Sequence, residues 1–262
     1  LSFLSTEFTW AGTNSDDKDI RLVRVGEDTI TQVFSSGKSL IREHIKFRGD
    51  YYQGADKSIY NLSMKIAKMN IEDPFIPEDR MELLRWLIPD DEFHAFTCEG
   101  DFPGLEFWVQ FTKVQFVTNP IGQGYYELEA ESNHPYPFSE MYSIEYDLSD
   151  NLFSEIIEIP NNCNAYKYFT PNVMEFTLVN DETEFSLKNL TSNGDILTFS
   201  GLDLLETVAI NSNQEILSST GRERISKFNF GFNALKLPYG LNRLEITGKC
   251  KLQFKLQYPV QI

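Results

Sequence analysis

The sequence offers little to a catalytic centre. Its 262 residues hold three histidines and three cysteines, all far apart. His44, His94 and His134 each lack a second histidine or a cysteine nearby, so spacing supports neither a metal site nor a nucleophile–base pair. Cys98, Cys163 and Cys250 fit buried thiols of a reducing compartment rather than a disulfide framework. There is no Gly-x-Ser-x-Gly element, no phosphate-cradling glycine loop and no dinucleotide fingerprint. Carboxylates are so abundant that no pair stands out for acid–base work. These gaps lead us to expect no enzyme, no cofactor and no metal. Long apolar runs are also missing. No stretch reaches the roughly 18 residues of a membrane span, and no basic-then-apolar start marks a signal peptide. Positive charge is scarce: 23 Lys and Arg face 39 Asp and Glu, a net charge of −16. Residues 1–138 hold −10 of this and residues 139–262 hold −6. Neither half has the basic footprint of a nucleic-acid or anionic-membrane binder.

What is present is a foldable, β-rich chain. Apolar residues make up 41% and aromatics 14%, enough for a sizeable core and against global disorder. The organising feature is Glu131-Ser-Asn-His-Pro-Tyr-Pro-Phe138. The run before it, Gly124–Glu131, alternates apolar and acidic residues with the period of a half-buried strand. Pro135 and Pro137 then remove two backbone donors and fix φ twice. We expect a domain boundary here, with domains at 1–138 and 139–262 and His134, Pro135, Tyr136 and Pro137 as the interdomain hinge.

Before the hinge, Ile20–Val25 and Thr29–Phe34 flank the turn signal Gly26–Asp28 and predict a hairpin. Ser35–Ser39 opens a long excursion through Phe47–Gly54, expected to be a loop. Tyr60, Leu62, Met64 and Ile66 predict a half-buried strand. Pro77–Ile88 predicts one helix, with proline in its first turn, Glu78 and Asp79 at the positive end of the dipole, and Met81, Leu84 and Leu87 or Ile88 as its apolar face. Strands are expected at Phe93–Cys98, at Glu106–Val117 with a bulge near Lys113, and at Tyr125–Glu131. The first half is therefore an antiparallel β domain with one helix.

After the hinge the helical period is absent. Strands are expected at Tyr142–Tyr146, Glu155–Ile159, Val173–Val179, Glu184–Leu187, Ile196–Ser200, Leu204–Ile210, Glu215–Ser219, Asn242–Ile246 and Lys251–Tyr258. Their spacing of about ten residues is that of a β-sandwich.

Several small motifs have a plainer reading. Asp16, Asp17 and Asp19 lack the glycine and distal glutamate of a calcium loop and read as a solvated acidic turn. Arg48-Gly49-Asp50 matches an adhesion tripeptide, but any tripeptide recurs by chance. Asn61-Leu-Ser and Asn189-Leu-Thr match the glycosylation pattern without a secretory signal. A sandwich also invites a carbohydrate-binding reading. Trp10, Trp86 and Trp108 all precede the hinge, and no histidine follows it. That leaves Tyr166, Tyr168 and Tyr239 as stacking platforms, with edge tyrosines the plainer reading.

The order of features resembles the distal tail protein (Dit) family of long-tailed phages and prophages. Arg48-Gly-Asp-Tyr-Tyr-Gln-Gly54 resembles the arginine, glycine and aromatic loop that precedes a long strand there. Pro135-Tyr-Pro137 resembles its Pro-Tyr element. Asn161-Asn162 with Pro171–Phe176 resembles its Asn-rich lead-in to a strand, and Asn193-Gly-Asp-Ile-Leu197 its turn and strand. Phe232–Asn242 resembles its closing loop, one residue longer here because Tyr239 stands between Pro238 and Gly240.

The resemblance implies a mainly β chain: an α+β N-terminal domain that forms a ring, then a galectin-like β-sandwich. It implies a structural hub of the tail tip or baseplate. Six copies would form a ring that touches the tail tube protein, the tail-associated tip protein and the receptor-binding proteins. The protein would reside in the virion after assembly in the host cytoplasm. Arg48, Gly49, Asp50, Tyr51, Tyr52 and Gly54 are then the candidate inter-subunit contact. A ring that passes DNA should not bind it, which gives the N-terminal carboxylates one role; keeping the free protomer soluble before assembly is the other. The alternative is an adhesion module that binds carbohydrate through the C-terminal sandwich.

Overall fold

The computed structural model describes residues 5–25, 38–45, 49–192, 194–221, 224–229 and 232–262, with backbone alone for 38, 44, 45, 49–56 and 232. The chain divides into two compact units, Leu1–Phe138 with Ile262, and Ser139–Gln261.

The first unit begins with short strands β1 (Thr9–Trp10), β2 (Thr13–Asn14) and β3 (Ile20–Leu22). Then come β4 (Lys38–Ile45), β5 (Gly49–Lys57), β6 (Asn61–Lys68) and helix α1 (Pro77–Leu87). Four more strands, β7 (His94–Thr97), β8 (Leu105–Thr118), β9 (Gly124–Ser132) and β10 (Phe138–Ser139), complete it. The main sheet runs in the order β2-β1-β7-β8-β9-β6-β3, and its ladders are antiparallel. Alternation decides its two faces. Leu62, Met64 and Ile66 of β6 and Tyr126, Leu128 and Ala130 of β9 are buried. On the other face β9 carries Glu127, Glu129 and Glu131, with Lys113 bonded to Glu129 at 2.6 Å. The bulge expected near Lys113 is found at Thr112, where the β8–β9 register shifts.

Helix α1 has the expected start. Pro77 opens it, and the Asp79 carboxylate accepts from the Ile76 amide and from Lys68. Its buried face is a correction. Leu83 and Leu87 are buried, while Met81, Leu84 and Ile88 are exposed by 56%, 41% and 46%. The segment carries two apolar stripes. The sheet selects the one at i, i+4, beside half-buried Trp86, because Trp86 stacks on Phe8 and its carbonyl accepts from the Trp10 indole at 2.9 Å.

The excursion after Ser35 is also a correction. Most of it is the antiparallel hairpin β4–β5, a two-stranded sheet separate from the main one. The expected strand Thr29–Phe34 and its turn lie outside the described residues.

The second unit is a β-sandwich. Its strands are β11 (Tyr142–Leu148), β12 (Ser154–Asn161), β13 (Tyr168–Phe169), β14 (Val173–Leu178), β15 (Glu184–Asn189) and β16 (Ile196–Ser200). They continue with β17 (Thr207–Asn211), β18 (Ile216–Ser218), β19 (Leu237–Pro238), β20 (Gly240–Thr247) and β21 (Cys250–Leu256). One sheet runs β11-β21-β14-β17-β18 and the other β12-β20-β15-β16, with β13–β19 a small ladder apart. Inward residues of both sheets form one core. Phe176 of β14 lies flat on Phe185 of β15, centroids 3.9 Å apart, which joins the two layers directly. Cys98, Cys163 and Cys250 are buried free thiols. Burial pushes the thiols of Cys98 and Cys250 up to about 12, so neither is a nucleophile near neutral pH.

One strand expectation fails. Leu204–Ile210 begins as a turn and becomes strand only at Thr207. Leu205 has φ of +58°, a region costly for a bulky side chain.

Candidate functional site

The residues singled out from the sequence fall into two connected places in the first unit. Gly49, Asp50, Tyr51, Tyr52 and Gly54 lie on strand β5 rather than in a loop, and Arg48 lies outside the described residues. Register pairs Gly49 with Ile45, Asp50 with His44, Tyr51 with Glu43 and Tyr52 with Arg42. Gly54 pairs with Ile41, so Gln53 is the extra residue of a bulge. Among the described residues, no strand of the main sheet extends this ladder. A lone two-stranded hairpin is marginal in water. Leu40 and Ile41 on β4 are 51% and 40% exposed.

The segment expected to be a hinge is well anchored in the first unit. The Ser132 hydroxyl donates to the His134 carbonyl at 2.7 Å. The Tyr136 amide donates to His134 Nδ1 at 3.2 Å. The Tyr136 ring is 5% exposed. Pro137 is buried and Pro135 half-buried. Burial pushes the His134 imidazole below its ordinary value. Lys57, the last residue of β5, places its ammonium 4.2 Å from the centre of the Tyr136 ring. The base of the hairpin is therefore joined to the Pro-Tyr-Pro element by a cation–π contact.

The second unit holds two polar devices. Asn161, Asn189 and Asn242 are fully buried. Each sits at an inward strand position, where the pattern calls for an apolar residue. Their side-chain amides all serve one strap, residues 234–240. Asn161 donates to the Leu237 carbonyl at 2.8 Å, and Asn189 to those of Ala234 and Lys236 at 2.9 and 3.2 Å. Asn242 donates to Pro238 and Gly240 at 2.9 and 3.0 Å. Five strap carbonyls thus have side-chain donors, as a buried segment requires. Asn189 is thus consumed by the fold rather than presented as a glycosylation acceptor. The extra Tyr239 is 70% exposed, beside Pro238, which pairs with Tyr168. Tyr168 and Tyr166 are 42% and 44% exposed.

The second device clamps the turn at Leu205. The Arg224 guanidinium spans both oxygens of buried Glu206 at 2.6 Å each and reaches Asp203 at 2.8 Å. Ser218 donates to the same carboxylate. Burial pushes the Glu206 carboxyl up, but hydrogen bonds from Arg224, Ser218 and the Asp203 amide outweigh it, and the net direction is down. The sequence hid this device because its members are spread over 22 positions among many other charges.

None of these arrangements assembles a nucleophile, a base and a cleft. They hold loops and expose edges, as a building part does. Two family descriptions match: "Phage tail protein N-terminal domain" over residues 3–134 and "Phage tail C-terminal domain" over residues 136–256. The chain belongs to this phage tail protein family. It is a structural component of a phage tail. An uncharacterised SPbeta prophage-derived protein of Bacillus subtilis (strain 168), YomH, is 24% identical over 191 residues, 72% of each chain. Among solved structures, the Dit protein (gp 19.1) of phage SPP1 aligns over 96% of this chain and 98% of that one. The TM-score is 0.65 at 13% identity, so the phage tail protein has the Dit fold. A chain of the phage P2 baseplate in its activated conformation with Ca aligns over 92% of both, with TM-score 0.46 and 9% identity.

Proposed function

We propose that this phage tail protein is the hub of the tail tip. Copies of the first unit build a ring, taken as six, that joins the tail tube to the tip and receptor-binding proteins. The second unit carries the adhesion parts. The likeness in fold to a protein described as a paradigm of the hub adsorption apparatus supports this reading. The observation that carries it is the β4–β5 hairpin. It has strand-forming backbone and exposed Leu40 and Ile41, yet among the described residues no third strand joins its ladder. A neighbouring copy supplies what it lacks. The exposed stripe of Met81 and Leu84 on α1 with Ile88 just after it is a second apolar face for the same purpose. The Pro-Tyr-Pro element is fixed within the first unit and joined to the base of the hairpin through Lys57.

The acidic face of the main sheet, with Glu127, Glu129 and Glu131, fits the wall of a channel that passes DNA without holding it.

The test is a pair of proteins. The wild-type chain is expected to give a closed ring by native mass spectrometry and negative-stain imaging. A variant with residues 38–57 replaced by a short Gly-Ser turn is expected to stay monomeric while keeping the melting transition of the sandwich. A ring formed equally well without the hairpin would overturn the reading.

A further inference from the structure

The outer face of the four-stranded sheet ends differently at the two ends of β20. At the Gly240 end lies the strap with its exposed tyrosines. At the Thr247 end lies a cleft of about 470 Å³ that the hub role does not use. Its floor is a rung of hydroxyls. Register places Thr247, Ser186 and Thr198 side by side on three neighbouring strands, and Ser200 one rung further on. Its walls bring Glu182, Glu184 and Lys249 to the same space. Among the described residues, none of these seven side chains has a hydrogen-bond or ion-pair partner within the protein. At the rim stand Leu152 and Phe153, 81% and 85% exposed.

The cleft is held open by the backbone. Gly248 has φ of +107°, and a Cβ there would lie 2.5 Å from the Glu184 carbonyl oxygen. Only glycine lets the β20–β21 turn approach β15 this closely. Asn151, also on the lining, donates to the Ile246 and Gly248 carbonyls at 3.1 and 3.3 Å and fixes the loop that presents Phe153.

We infer that this cleft binds a neutral or amino-sugar oligosaccharide. Hydroxyls on adjacent strands, about 4.8 Å apart, both donate and accept and so match a polyhydroxylated ligand. Free carboxylates accept from pairs of sugar hydroxyls, and an exposed aromatic offers an apolar face to the ring C–H groups. The lining carries two carboxylates and one ammonium, which disfavours phosphate-rich polymers. Phe153 fills the stacking role that the tyrosines held in the sequence reading. This inference stands on the cleft and does not depend on the ring.

The test is saturation-transfer NMR on the full chain, with chitotetraose, cellotetraose and maltotetraose as sugar probes and poly(glycerol phosphate) as the anionic control. Transfer to at least one sugar is expected. Phe153→Ala and Thr198→Val should each weaken it about tenfold, while Tyr239→Ala leaves it unchanged. Phe153 is solvent-exposed, so its variant tests binding without testing the fold. No transfer to any sugar at millimolar concentration would overturn the assignment, as would loss in Tyr239→Ala alone or preference for the phosphate polymer. Capture of another tail protein that needs Phe153, without a sugar signal, would assign the cleft to protein docking instead.

Discussion

The two units of this chain solve the same problem differently. The second closes on itself: two sheets share one core, a strap is tied down by three asparagines, and a turn is clamped by Arg224. The first leaves work undone. Among the described residues, its main sheet has one buried face under a single helix, and its hairpin stands apart from that sheet with apolar residues exposed. A domain that satisfies its own backbone and core is a stable module. A domain with an unextended ladder and exposed apolar residues invites pairing with another chain. On the proposed reading, assembly falls to the first unit and autonomous stability to the second.

Breaking the clamp is the sharpest way to test the second half of this contrast. Glu206→Ala leaves Arg224 without its main partner in a buried site. It should lower the melting temperature of the sandwich by on the order of 10 °C and leave the first unit's transition in place. Calorimetry on the full chain resolves the two. The clamp also carries a pH dependence. The folded Glu206 carboxyl lies below its ordinary range. Its stabilisation is complete above the unfolded glutamate value of about 4.3 and is lost as pH falls through the lower folded value. Glu206→Gln should flatten the fall in melting temperature between pH 5 and pH 3, roughly the range over which such a group titrates. An unchanged slope would assign the acid sensitivity to other carboxylates.

The strap gives a smaller effect. Asn189→Ala strips hydrogen bonds from the Ala234 and Lys236 carbonyls and from the Thr191 and Ser192 amides. A loss of about 3 kcal/mol in urea unfolding of the sandwich is expected, against a few tenths for exposed Asn61→Ala. The smallest effect concerns the acidic face. Changing Glu127, Glu129 and Glu131 to lysine should slow DNA ejection severalfold from assembled virions. Ejection at the wild-type rate would leave the acidity as a solubility feature.

Legibility in the sequence followed burial. The sandwich strands β12, β14, β15, β16, β20 and β21 were readable because each has one face in a core, and a buried face imposes period two. The hairpin was read as a loop for the converse reason. Gly49-Asp-Tyr-Tyr-Gln-Gly54 is strand, yet its residues show no alternation of apolar and polar types to mark it. Helix α1 was found by its proline and acidic start, but two apolar stripes left its face undetermined until the sheet chose one. Leu204 and Leu205 looked like a strand entry because they are apolar, whereas they are exposed at a clamped turn. The strap leaves a signal in the sequence: Asn161 and Asn189 close, and Asn242 opens, an alternating series where another apolar residue belongs.

Hydrogen exchange in the free and assembled chain tests the central claim most directly. Backbone amides of β4 and β5 should exchange quickly in the monomer and gain protection when the ring forms, while those of β14, β20 and β21 stay protected in both. Strong protection of residues 38–57 in the free monomer, or no gain on assembly, would contradict the assignment of this hairpin to a neighbouring chain.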